Sequence, residues 1–309
     1  MQKSILCEWI VLQLTDTSFP AGSLGNSNGL ESAVAHGIVK CGSARSLFEF
    51  IVLVLEQSAK QMLPFLRASY RAVQRNEQDT EGVLTALDAI CHSNISDESS
   101  IRSSITQGKC FLKACEACFG NGVYNSLVSE VSSQKSNFTA SANAVEDIDG
   151  RDRADKFERV VACLNQSLEV DTATERDGIT SSGRKVMEGH YPVVFGALSA
   201  ALDLPLAMAC RAFMRCMLRD ACSCATRLNV VGPLEGASIQ AKLSTVVEQM
   251  ISANDIGDDS FMSKEVLCDN IFGAAPLRGL FSEIPTTNSP IVDLVKSRHD
   301  ILYSRLFNS

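Results

Sequence analysis

The chain has 309 residues, 45% of them hydrophobic, with a net charge of -8 and a pI near 5.1. That is ample material for the core of one large or two ordinary domains, and it leaves no basic face large enough to hold nucleic acid. Aromatic residues make up only 6% of the chain while Ala, Leu, Val and Ser are plentiful, so the predicted class is all-α.

The opening MQKSILCEWIVLQL resembles a signal peptide, but Glu8 interrupts its apolar run and no clean cleavage site comes after it. No uncharged apolar stretch reaches the roughly 18 residues needed to span a bilayer, so a cytoplasmic protein with no membrane contact is expected. The stretch SFPAGSLGNSNGLE at 18–31 then places Gly22, Gly25 and Gly29 close together. It lacks the Lys and Ser/Thr of a Walker loop and the G-x-G-x-x-G spacing of a dinucleotide loop. It reads instead as a turn in which Pro20 and Gly22 break one helix and Asn26, Ser27 or Asn28 caps the next, near Gly29.

Residues 43–75 begin with a capping Ser43 and read as a buried helix, kinked or restarted at Pro64. A weaker helix over 80–92, a Ser-rich loop over 93–100 and a helix over 101–119 come next. Residues 120–183 are polar and poor in large apolar side chains, which predicts a long, largely disordered insertion in which one short amphipathic piece, DKFERVVACLNQSL, reads as a helix. It separates an N-terminal part, 1–119, from a C-terminal part, 184–309, of one bundle-like domain of roughly ten helices.

In the C-terminal part, 205–228 carries the strongest helical pattern, with Leu206, Ala209, Cys210, Phe213, Met217, Ala221 and Ala225 on one side. Arg211, Arg215 and Arg219 at four-residue steps predict a solvated basic face, or a dock for an acidic partner. Another helix comes after NVVGPLEGAS. The tail starts a helix at Ser289-Pro290 and keeps an apolar stripe to the end, which suggests that it packs on something.

Candidate chemistry is sparse. The four histidines, His36, His92, His190 and His299, lie far apart and match no metal-ligand motif. His190, before Tyr191-Pro192, reads as a helix-start residue, and Arg227 as a capping arginine or half of an interface ion pair. The twelve cysteines are scattered singly and read as reduced core thiols rather than zinc ligands.

Several separated blocks resemble one family. FPAGSLGNSNGLESAV, then SITQGKCFLKACE around Gly108, HYPVVFGALSAALDLPL, ATRLNVVGPLEG with Gly232, Gln240 beyond it, and SRHDILYSRLFNS are similar, in order, to the signatures of the urease accessory protein UreF family. The resemblance implies an all-helical, non-enzymatic protein that binds UreD (UreH) and recruits the nickel-carrying GTPase UreG. The assembly is presented to apo-urease, with a homodimer of this chain inside it. Nickel and GTP then belong to the partner complex, and the chain has no cofactor or metal site of its own. An alternative within the resemblance is control of GTP hydrolysis by UreG through an arginine, from the 211–219 stripe or Arg227. The interface candidates are Pro20, Gly22, Asn26, Gly29, Glu31, His190, Arg227, Gly232, Gln240, His299, Arg305, Leu306 and Phe307. One departure stands out: Asn26 occupies a place that is usually Tyr or His, an aromatic anchor of the kind worth about 2 kcal/mol or more.

Overall fold

The structure, a computed structural model, describes residues 2–22, 25–75, 79–120, 148–168, 186–253, 281 and 285–307. Among them every regular element is a helix. These are α1 (Gln2–Leu14), α2 (Leu30–Ala35), α3 (Ala44–Gln61), α4 (Leu63–Arg75), α5 (Thr80–Asn94), α6 (Glu98–Phe119), α7 (Ile148–Leu168), α8 (Tyr191–Ala201), α9 (Leu206–Arg227), α10 (Pro233–Ala253) and α11 (Pro290–Ser297). A 3-10 turn, His299–Ile301, comes after α11. No helix among the described residues is long and apolar enough to cross a membrane.

Helix α8 is the axis of the fold. All its residues are buried, enclosed by α4 and α6 on two sides and by α5, α7 and α9 elsewhere. Such close approach requires missing side chains. A Cβ on Gly196 would stand 2.2 Å from the Leu66 carbonyl oxygen of α4, and one on Gly108 of α6 would stand 2.0 Å from the Gly189 carbonyl oxygen. Around the crossing, Phe111 stacks on Phe195 at 4.8 Å, while Tyr191 and Phe213 close the cluster at 5.3 Å. Burying each such ring removes enough apolar surface to contribute roughly 1.5 to 3 kcal/mol.

Local signals explain the helix boundaries. Ser43 accepts the Ser46 N–H as the cap of α3, and the chain breaks at Met62, beside Pro64. Asp97 caps α6 through the Ser100 N–H, so the Ser-rich loop expected over 93–100 shrinks and the helix starts at Glu98 rather than 101. Further along α6, Ser104 Oγ accepts the buried Tyr191 N–H.

Two expectations need correction. Within the insertion, the amphipathic piece is helical, but it belongs to a longer helix, α7, of 21 residues, which buries Phe157, Val160, Val161 and Leu164 in the common core. Its Lys156 also donates to the Ala200 carbonyl at 2.7 Å and pairs with Asp203 at 3.0 Å. Residues 121–147 and 169–185, the rest of that expected insertion, lie outside the described residues. The basic stripe of α9 is not one solvated face either. Arg211 forms an exposed pair with Glu248, but Arg219 is buried, bonded to Asp220 and to the Thr15 and Asp16 carbonyls that end α1. A guanidinium with several donors can fasten the carbonyls just past a helix end, and four-residue spacing alone cannot reveal that role.

Candidate partner interface

The glycine-rich loop leads into a clasp for the tail. Asn26 Oδ1 accepts the Asn28 N–H at 3.0 Å, a local turn that delivers Asn28 and Gly29 in left-handed conformations. Gly29, not a polar side chain, occupies the cap position of α2. A Cβ there would meet Lys296 Cγ at 3.0 Å and Val295 at 3.2 Å, so this glycine lets α11 lie directly on the loop.

Two residues on, Glu31 turns its carboxylate inward, only 8% exposed. It accepts three hydrogen bonds, from His299 Nε2 at 3.1 Å, the Leu306 N–H at 2.5 Å and the Phe307 N–H at 3.1 Å. Hydrogen bonds to an ionised acceptor are about twice as strong as neutral ones, so a single carboxylate can tie down a chain end that ordinarily frays. Phe307 is buried, with the Arg227 guanidinium 4.5 Å above its ring. Arg102 of α6 and Arg305 both pair with Asp300, at 2.6 and 3.0 Å, on the outside of the turn.

The tail is thus buried on one side and apolar on the other. Leu294, Ile301, Tyr303 and Leu306 are exposed, Leu306 to 63%. Exposed apolar side chains on an ordered segment are the material from which a contact surface can be built. Sequence reading missed a second such face, on α1. While Cys7, Ile10 and Leu14 pack inward, Ile5, Leu6, Trp9 and Leu12 point outward, with Trp9 67% exposed. The 5–9–12 spacing, at four and three residues, carried that signal.

Of the residues singled out in the sequence, Gly29, Glu31, Arg227, His299, Arg305, Leu306 and Phe307 converge on this clasp. Pro20 and Gly22 are exposed on the loop, with Gly22 against Cys110 of α6, and Asn26 is half-buried. Gly232 is exposed and Gln240 half-buried, near the start and middle of α10. His190 is elsewhere and wholly buried.

His190 belongs to a second polar constellation. Asp88 of α5 accepts the N–H groups of Glu188, Gly189 and His190 at 2.6, 3.2 and 2.7 Å, anchoring the start of α8. Burial raises the Asp88 pKa while those three bonds oppose the rise. Ser104 Oγ accepts the Tyr191 N–H and also hydrogen-bonds His190 Nδ1, at 3.1 Å. The other ring nitrogen of His190, Nε2, hydrogen-bonds His92 Nδ1 at 3.2 Å. Burial pushes His190 down to about 4, so the ring is neutral at physiological pH. The thiols are equally withdrawn: burial pushes Cys216 up to about 12 and Cys222 up to about 11.

These features can hold and present a surface, and known proteins align with the chain across its length. The family model for UreF matches residues 42–244. Urease accessory protein F of Arabidopsis thaliana is 25% identical over 310 residues, covering 100% of this chain and 96% of its own length. Urease accessory protein 6 of Cryptococcus neoformans var. grubii is 26% identical over 311 residues, covering 96% of this chain and 95% of its own. The bacterial urease accessory protein UreF of Granulibacter bethesdensis is 24% identical over 300 residues, covering 97% and 92%. With well over half its length inside the family model, this chain belongs to the UreF family of urease accessory proteins.

Proposed function

We propose that the protein is a non-enzymatic, cytoplasmic scaffold of urease maturation. It bridges UreD (UreH) and the GTPase UreG on apo-urease so that nickel can be inserted, and it acts as a homodimer within that complex. Nickel and GTP are bound by the partners. The observation that carries this reading is the clasp: family-like loop and tail motifs, far apart in the chain, are joined at Glu31 and leave an ordered apolar strip facing outward. Interfaces draw most of their energy from such anchored apolar side chains.

The test is co-purification of the full chain with its own organism's UreD and UreG, beside a chain lacking 299–309. The full chain forms the complex, while the shortened chain keeps its helicity by circular dichroism and fails to recruit the GTPase. Absence of any complex with the full chain removes the bridging role. Control of GTP hydrolysis is a second reading, favoured by the placement of Arg227 at the clasp's exposed rim. An arginine supplied to a GTPase changes turnover about 10³-fold or more, so Arg227→Ala separates it from pure bridging.

A further inference from the structure

Behind the glycine-rich loop, a partly open cavity of about 50 Å³ lies between residues 26–29, the N-terminal half of α6 and the last turn of α11, with side chains of α3, α8 and α9 as its floor. That is room for about four waters. Its polar lining is rich in donors. Gln107 Nε2 and Ser99 Oγ belong to side chains only 4% exposed, and neither they nor Asn28 Nδ2 have a hydrogen-bond partner in the protein. Lys296 enters from α11, its stem laid over Gly29 where any Cβ would crowd it at 3.0 Å. Lys296 is half-buried and its ammonium, which keeps access to solvent, makes no hydrogen bond or ion pair among the described residues; partial burial holds it below the ordinary lysine range.

Two carboxylates sense that ammonium without touching it. Asp97 is engaged by the Ser100 N–H and Asp293 by Gln57 Nε2. A half-buried lysine and two unpaired amide groups lining one small space call for an electronegative guest. The two nearby carboxylates oppose a dianion such as phosphate or sulfate.

We propose that this cavity binds a small monovalent anion, of chloride or formate size, between the Lys296 ammonium, the Gln107 and Asn28 amides and the Ser99 hydroxyl. The site ties the family's glycine loop to α11, because Gly29 is what admits the lysine. It stands apart from the bridging role, so its failure leaves that reading untouched.

The direct test soaks crystals of the full chain in sodium bromide and collects anomalous data, alongside melting temperatures in chloride, bromide, formate and gluconate at one ionic strength. The expected results are a bromide peak in contact with Lys296 and a melting temperature that rises in the three small anions over gluconate. Lys296→Met, which keeps the stem, should weaken bromide binding at least tenfold while circular dichroism stays the same. If that variant misfolds, Gln107→Met serves in its place, and the wild-type bromide peak decides by itself. A cavity holding water alone, or a peak unchanged in the folded lysine variant, overturns the proposal.

Discussion

The start of α8 and the C-terminal tail are held by the same device, a buried carboxylate that accepts consecutive backbone N–H groups beside a buried histidine. Asp88 takes the N–H groups of 188–190 next to His190, and Glu31 takes those of 306 and 307 together with the His299 ring. The segments they secure differ. Beyond Asp88 the chain enters a helix buried on every side, whereas around Glu31 the residues alternate between buried Phe307 and exposed Tyr303 and Leu306. One clamp therefore secures the core and the other presents a surface. Breaking them should give opposite kinds of damage.

The largest effect is expected inside the first region. Gly196→Val places a side chain where even a Cβ is 2.2 Å from backbone, so α4 and α8 must separate, at a cost of about 3 kcal/mol or more. Yield and melting temperature should fall together. Asp88→Ala leaves three buried N–H groups without their acceptor and should cost about 3 kcal/mol, read as a lower denaturation midpoint at unchanged slope. If that variant were as stable as the wild type, the first clamp would have no role in the core.

A smaller effect is expected from acid. His190 is depressed from 6.5 to about 4, so as pH falls the unfolded chain takes up this proton before the folded one. Its contribution is complete above about pH 6.5 and is lost on the way to pH 4, approaching roughly 3 kcal/mol. Asp88, raised by burial, acts in the opposite direction at the acid end of that window. Stability measured by denaturant between pH 7 and 4 should show this fall, and His190→Gln should flatten it.

Much of the first region was legible in the sequence. Ser43, Pro64 and the apolar side of 205–228 gave α3, α4 and α9 to within a few residues, because caps, prolines and 3.6-residue periodicity act locally. Helix α7 was undervalued since its four core residues are diluted among charges, and burial depends on where partners lie. Asp88, Lys296 and the clasp role of Glu31 could not be read at all: each meets groups tens to hundreds of residues away, and no local pattern encodes such a meeting. The family model itself stops at residue 244, short of His299 and Phe307, so the tail's importance rests on geometry more than on the match.

The role of the clasp is decided by Glu31→Ala, with hydrogen exchange measured at residues 299–307 and capture of UreD and UreG assayed beside it. Loss of the shared acceptor should release the tail, giving fast exchange there with a shift in melting temperature of only a few degrees, since among the described residues beyond α11 only Phe307 and His299 are buried. Capture of the GTPase should drop at least tenfold, a loss of about 1.4 kcal/mol or more. A variant whose tail exchanges freely yet captures both partners as well as the wild type would contradict the claim that this clasp presents the interface.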